Sequence, residues 1–162
     1  MEEQQTLTDM MGREVTIKRL PVRIVSLVPS QTELLHDLGL DEEVVGITKF
    51  CVHPESWFRS KTRVGGTKQV HYDKIAALQP DLILANKEEN TQEIVDTLAK
   101  DYPVWVSDIH SMHEAVNMIL RVGEMTGKAE EAWKIVNSYI PAIQLTMRYA
   151  DTPQAIAHCF PQ

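Results

Sequence analysis

Cys51 and His53 are separated by one residue and carry a thiol and an imidazole that together could bind a metal ion. Thiolate and imidazole are ligands that zinc and copper accept in proteins. His71 is a third residue of a suitable type. The spacing matches none of the closely spaced zinc motifs, and a lone histidine is more often structural, so Cys51 and His53 remain candidate ligands only.

A second possible site lies where Pro29, Ser30 and Thr32 follow the apolar run Ile24–Val28. The run has the composition of a buried strand, and Pro29 should end it because proline cannot donate a ladder hydrogen bond. Ser30 precedes Glu33 at the spacing of a capping box, which predicts a helix start. Free amides at a helix start favour negative or polar ligand groups, and ligands bind at the carboxyl edge of parallel sheets. The alternative is an ordinary turn that binds nothing.

The same alternation of apolar runs and helical patterns continues through the middle of the chain. After Ile24–Val28, further strands are predicted at Val44–Ile47, Asp81–Ala85 and Pro103–Val106. Helices are predicted at Tyr72–Gln79, from an Asn90/Glu93 cap to Lys100, and from a Ser111/Glu114 capping box to Met125. This alternation indicates an α/β fold with an open, mainly parallel sheet and helices on both faces. The residues expected to be buried are Ile24, Val25, Leu27, Val45, Ile47, Leu82, Ile83, Leu84, Val104 and Val106.

The two ends of the chain follow other patterns. Residues 1–22 are predicted to hold a β-hairpin whose second strand is Glu14–Lys18. Residues 128–150 form one long helical pattern, about 33 Å long at 1.5 Å per residue, which Pro141 should kink or split. Its inward face should carry Ala129, Ala132, Trp133, Val136 and Ile140. Residues 155–160 favour a further strand, so that 151–162 is predicted to start a second lobe that is otherwise missing.

Composition and charge argue against several classes of function. The net charge of −7 disfavours nonspecific nucleic-acid binding. No apolar run is long enough to span a bilayer, and no secretory signal opens the sequence, so the protein is expected to be either intracellular or shortened by removal of a leader. Two cysteines imply no disulfide framework. Because no base, nucleophile and orienting residue occur at a recognisable spacing, an enzyme is disfavoured.

Short motifs stand in a specific order along the chain. They are Asp9-x-x-Gly12-Arg13-x-Val15, Arg23-Ile24-Val25-Ser26-Leu27, Pro29-Ser30, Thr32-Glu33, Leu38-Gly39, Val45-Gly46-Ile47, Val64-Gly65-Gly66, Ile75, Leu78-x-Pro80-Asp81-Leu82-Ile83 and Gly123-Glu124-x-x-Gly127. This series resembles the substrate-binding proteins of ABC importers for vitamin B12, iron–siderophores and haem, the helical-backbone metal receptors. The resemblance implies that residues 23–127 are the amino-terminal ligand-binding lobe of a two-lobed protein, and that 128–150 form the helix between the lobes.

The resemblance also implies which residues line the cleft between the lobes. They are Pro29, Ser30, Thr32, Phe50, Cys51, His53, Thr67, Asn86, Lys87 and Glu88. Thr67 and Asn86 match positions that are aromatic in the vitamin B12 binder, and their polarity here disfavours flat stacking on a corrin ring. The charged run Asn86–Asn90 favours a polar or cationic ligand. The alternative is a solvated helix start where Glu88 and Glu89 interact with the helix dipole.

The resemblance further implies the partners and the location. The ligand would be a small-molecule metal chelate (cobalamin, a ferric siderophore or haem), with no built-in cofactor, and the protein partner an ABC permease. Asp73 matches an acidic residue that docks on permease arginines through charge-assisted contacts; the alternative, capping of the helix near Tyr72, is compatible with docking. The family is periplasmic or found at the cell surface.

The competing hypothesis is a metal-handling enzyme or metallochaperone that uses Cys51 and His53 on the same fold. His110 and His113 are expected to be solvated.

Overall fold

The computed structural model describes residues 3–148 of the chain. The strands are β1 Gln4–Thr8, β2 Glu14–Lys18, β3 Ile24–Ser26, β4 Val44–Ile47, β5 Thr62–Arg63, β6 Leu82–Asn86 and β7 Val104–Ser107. The helices are α1 Pro29–Asp37, α2 Glu55–Ser60, α3 Tyr72–Leu78, α4 Gln92–Ala99, α5 Met112–Met125 and α6 Ala129–Arg148. The strand predicted at 155–160 and the predicted second-lobe segment 151–162 lie outside the described residues.

Five strands form a parallel sheet in the order β5-β4-β3-β6-β7. Val25 of β3 pairs with Ile83 of β6, and Asn86 and Ser107 form a pair at the ends of β6 and β7. Because all five strands run in one direction, the loops that follow them emerge together at the carboxyl edge of the sheet. The edge strand β5 was missed in the sequence because its two residues are both exposed and form no apolar run.

Each face of the sheet is covered by helices, which confirms the predicted fold class. Alternate strand residues point to opposite faces. Ile24 and Leu82 pack with α1, α2, α5, α6 and the amino-terminal hairpin, whereas Val25 and Ile83 pack with α3 and α4. Of the strand residues expected to be buried, only Val45 is wrong, since it is half-buried. Its strand borders the short β5, which leaves that part of the face less covered.

The predicted cap of α1 is wrong. The helix begins at Pro29, and its N-cap residue Val28 makes no side-chain cap hydrogen bond. Proline suits the first helical position because its fixed φ is already helical and its missing N–H would have had no partner there. Ser30 therefore lies inside the first turn and does not form a capping box with Glu33.

Two other caps can be compared with the sequence. α4 is capped by Thr91, whose Oγ1 accepts a hydrogen bond from the Ile94 amide at 3.2 Å, and not by Asn90 as predicted. The cap of α5 is confirmed, since Ser111 Oγ accepts from the Glu114 amide at 3.1 Å. The Asn90 prediction failed because the Asn90 side chain is buried and bonded to other loops.

The ends of the described chain pack on one face of the sheet. β1 and β2 form an antiparallel hairpin, and Asp9 in its turn accepts a hydrogen bond from the Val106 amide of β7 at 3.3 Å. α6 runs through Pro141 without a break. Ala132 and Val136 are buried as expected, but Trp133, at 54% exposure, and also Ala129 and Ile140 are exposed, so the predicted inward face is wrong at these three positions. Within residues 3–148, no helix combines the length and hydrophobicity that a bilayer-spanning segment needs.

Candidate functional site

Connecting segments meet along the carboxyl edge of the sheet and carry the residues predicted to bind ligand. In the order of the strands they are the loop after β5 at 64–71, the loop after β4 at 48–54, the β3–α1 junction at 27–28, the loop after β6 at 87–91 and the loop after β7 at 108–111. These segments form a continuous row, so a ligand on this edge can contact several of them at once.

A groove with a volume of about 480 Å³ lies at the β4–β5 end of this row. Its lining residues are Lys49, Phe50, Gly65, Gly66, Thr67, Lys68, Gln69 and His71. Phe50 is 52% exposed, and the Lys49 Nζ lies 5.2 Å from the centre of its ring. The structure therefore brings the predicted residues Phe50 and Thr67 together, with cationic groups beside an apolar ring.

Gly65 and Gly66 give the groove its shape. Gly65 has φ of +112°, and a Cβ there would lie 2.6 Å from the Gln69 carbonyl oxygen. That carbonyl accepts a hydrogen bond from the Gly66 amide at 2.8 Å, which closes a tight loop. A Cβ on Gly66 would lie 3.1 Å from the Phe50 ring. The two glycines thus let the loop turn sharply and leave room for the exposed aromatic ring.

Asn90 connects three of the edge segments. It is 3% exposed, and its Oδ1 accepts a hydrogen bond from the Asn86 amide at 2.9 Å. Its Nδ2 donates to the carbonyl oxygens of Leu27 at 3.3 Å and Thr67 at 2.9 Å. A buried amide that satisfies backbone groups in three segments fixes their relative positions. Sequence reasoning assigned Asn90 to a helix cap and missed this role.

Asn86 is half-buried and its side chain is used within its own turn. Its Oδ1 accepts from the amides of Glu88 and Glu89 at 2.9 and 3.2 Å, and its Nδ2 donates to Ser107 Oγ at 2.9 Å. The Lys68 ammonium, from the groove, donates to the Glu88 carbonyl oxygen. The polar groups of Asn86 thus stabilise the loop after β6, and the Lys68 hydrogen bond connects that loop to the groove.

Thr32 and Cys51 lie behind this surface. Thr32 is fully buried, and its Oγ1 lies 2.8 Å from Ser26 Oγ and 3.1 Å from Cys51 Sγ, both within hydrogen-bond distance. Cys51 is 1% exposed, and its Sγ lies 3.2 Å from Thr48 Oγ1. His53, in contrast, is exposed. We therefore correct two sequence interpretations: Thr32 and Cys51 are internal supports, and Cys51 is buried whereas His53 is exposed, which argues against a shared metal ion.

Pro29 and Ser30 lie at the start of α1, half-buried and exposed respectively. Ser30 lines a smaller cavity of about 150 Å³ together with residues of α1, α5 and α6, including Tyr139. The predicted first-loop residues therefore border the helical face as well as the sheet edge, and Ser30 does not line the larger groove.

The loops after β6 and β7 bring Glu88, Asp108 and His110 together. Each offers one possible metal-ligand atom, and these atoms all lie within 4.8 Å of one another. Of these residues, Glu88 is predicted from the sequence to bind ligand, His110 is predicted to be solvated, and no motif marks Asp108. Their positions along the chain could have identified this group, because Asp108 and His110 follow β7 at the same edge of the sheet where Glu88 follows β6.

Asp73 is exposed on the first turn of α3, beside the groove residue His71. Within residues 3–148 its carboxylate has no hydrogen-bond or ion-pair partner, and the N-cap residue of α3 is His71, which makes no side-chain cap bond. The capping alternative for Asp73 is therefore wrong.

Comparison with known proteins gives one family and several relatives. Residues 24–150 match the periplasmic binding protein family. The chain is 35% identical over 138 residues to the ABC transporter substrate-binding lipoprotein YvrC of Bacillus subtilis (strain 168), covering 82% of this chain and 43% of that protein. It is 29% identical over 130 residues to the vitamin B12-binding protein of Yersinia pestis (strain Pestoides F), covering 79% of this chain and 46% of that protein. The crystal structure of the petrobactin-binding protein YclQ from Bacillus subtilis shares the fold, with a TM-score of 0.79 and 23% identity over 88% of this chain and 52% of that one. The chain thus spans about half the length of these proteins.

Proposed function

Because this chain belongs to the periplasmic binding protein family, we propose that it is the solute-binding component of an ABC importer and that its ligand is a metal chelate. Cobalamin, a ferric siderophore and haem are the chelate classes we propose. Support comes from similar proteins that are named for vitamin B12 and petrobactin. The similar proteins are binding components of transport systems, so we propose binding and not catalysis as the activity.

The observation that carries this proposal is the groove beside β4 and β5. Ligand grooves combine apolar or aromatic surface with a few polar or charged groups that orient the ligand. Phe50 supplies a ring that is 52% exposed, the Lys49 Nζ lies 5.2 Å from the centre of that ring, and Lys68 lines the same groove. Such a surface complements a ligand with an apolar part and anionic groups, as many metal-chelating molecules have. We therefore revise the expected ligand from polar or cationic to partly anionic.

The rest of the transport cycle follows from this proposal. The relatives are about twice as long as the chain, so we propose that a second lobe forms the opposite wall of a ligand cleft, with α6 between the lobes. The location would be the periplasm or the cell surface. Asp73, which is exposed and unpaired within the described part of the chain, would dock on an arginine of the permease.

Isothermal titration calorimetry with cyanocobalamin, a ferric catecholate siderophore and haemin tests the proposal. We expect one of these chelates to bind saturably, and Lys68→Ala to weaken its binding by about 10–150-fold, because a charged hydrogen bond contributes about 1.5–3 kcal/mol. Phe50→Ala should weaken binding to a similar extent through lost ring contact.

Lys100→Ala is the matched control, since Lys100 is exposed just after α4 at the opposite edge of the sheet. Its affinity should stay within about twofold of wild type, as expected for a remote surface charge. Saturable binding that neither groove variant weakens would show that the groove is not the site. Because the cleft is proposed to need a second lobe, the titrations use the two-lobed protein, and failure of all three chelates to bind it would contradict the three proposed chelate classes.

A further inference from the structure

The second feature of the carboxyl edge is the group formed by Glu88, Asp108 and His110. The group lies across the ends of β6 and β7, which are neighbouring parallel strands. It is composed of two carboxylates and one imidazole, and the possible ligand atoms all lie within 4.8 Å of one another. None of its residues lines the groove that contains Phe50, so the group is a separate cluster on the same edge.

Asp108 is the least exposed member of the group. Its side chain is only 18% exposed, and its Oδ1 lies 2.6 Å from the His110 Nε2, so the carboxylate and the imidazole already face each other. A divalent cation would take the place of the proton that this pair shares, since a carboxylate and a neutral imidazole are both ligands that such an ion accepts. Glu88 supplies a second carboxylate within reach of the same ion.

We propose that Glu88, Asp108 and His110 bind a divalent first-row metal ion of the zinc type. Imidazole and carboxylate together suit Zn²⁺, Co²⁺ and Ni²⁺ better than the hard ions Mg²⁺ and Ca²⁺, which prefer oxygen ligands alone. Three protein ligands leave open coordination positions, which is the arrangement of sites whose metal also binds water or another molecule. The exposed side chain of Glu88 can adjust to the ion, whereas Asp108 is held in place.

The surroundings of the group hold its ligands in position. The Lys87 Nζ lies 3.5 Å from Asp108 Oδ2, whereas the His110 Nε2 lies beside the other oxygen, Oδ1. The positive charge of Lys87 repels a metal ion and so weakens its binding. The same ammonium also orients the carboxylate, which leaves Oδ1 available to the metal. Glu114 Oε2 accepts a hydrogen bond from the His110 amide at 2.6 Å, which fixes the backbone that carries the imidazole.

The test uses the bare ion, so it does not depend on the identity of a chelate. Untagged, chelator-treated protein is titrated with Zn²⁺ by calorimetry and with Co²⁺ by visible absorption, which reports nitrogen and oxygen ligation. We expect saturable binding, a weakening of about 10–100-fold in His110→Ala and in the isosteric Asp108→Asn, and loss of the Co²⁺ bands in His110→Ala.

His113→Ala is the matched control, because His113 is an exposed histidine on the first turn of α5 and is not part of the group. It should bind both ions as wild type does. The proposal is overturned if wild type shows no saturable binding, if His110→Ala binds like wild type, or if His113→Ala loses as much affinity as His110→Ala. Each of these results leaves the chelate proposal standing, since that one is tested with Phe50 and Lys68.

Discussion

Replacing Asn90 by alanine should destabilise the protein by about 2–4 kcal/mol. The substitution removes three hydrogen bonds that a side chain with 3% exposure makes to the Asn86 amide and to the Leu27 and Thr67 carbonyl oxygens. Each such bond contributes about 0.5–1.5 kcal/mol net, and partners left unsatisfied in the interior raise the cost toward the upper end. Ligand affinity should fall as well, because the same bonds hold the loop that carries Thr67 against the rest of the edge.

Urea unfolding, followed by circular dichroism, gives the change in the free energy of unfolding. The values for variant and wild type can be compared if their m-values are equal. Asn117→Ala is the control, since Asn117 is exposed within α5, and it should stay within about 0.5 kcal/mol of wild type. Asn90→Asp keeps the size of the side chain but removes the donor and adds a buried charge, so it should cost at least as much as alanine. If Asn90→Ala costs less than about 1 kcal/mol, Asn90 does not hold the edge segments together as we argue.

Three further substitutions test other parts of the account. Leu82→Ala should lower the free energy of unfolding by about 2–5 kcal/mol because Leu82 is fully buried in the sheet, whereas exposed Leu20→Ala should change it by less than about 0.5 kcal/mol. Gly65→Ala should lower both the melting temperature and the chelate affinity, since the new methyl group would meet a carbonyl oxygen at 2.6 Å in a residue with φ of +112°. Asp73→Lys should leave stability and ligand affinity unchanged but weaken binding to the permease in a pull-down assay; Asp101→Lys, an exposed acid at the opposite edge, should weaken neither.

The sheet could be predicted from sequence because its strands are dense in apolar residues. Residues 82–85 are all buried. Their apolar run of Leu, Ile, Leu and Ala is therefore typical of a strand that is covered on both faces of the sheet. β5 and α2 have no such apolar run, because they are short and Trp57 is the one buried residue in the two elements. The prediction of the α1 cap was wrong because the sequence contains two competing signals for a helix start, Pro29 and Ser30. Pro29 occupies the first helical position, so Ser30 lies within the helix and does not cap it.

The site could be predicted only as a set of loops. Parallel topology fixes which loops share an edge, and Phe50 and Thr67 do line one groove. Sequence does not fix whether a polar side chain in such a loop points outward. Thr32 and Cys51 contact each other in the interior, within hydrogen-bond distance, while Asp108, which no motif marks, is partly buried beside the exposed His110. Such distinctions depend on loop geometry that one chain's residue pattern does not encode.

Native mass spectrometry of the protein purified from the organism that makes it tests the central claim most directly. The account predicts a second species whose added mass and isotope pattern are those of a metal chelate, and a strong reduction of that species in Phe50→Ala and Lys68→Ala but not in Lys100→Ala. A retained molecule that contains no metal, or a chelate retained equally by all three variants, would contradict the assignment of this groove to metal-chelate binding.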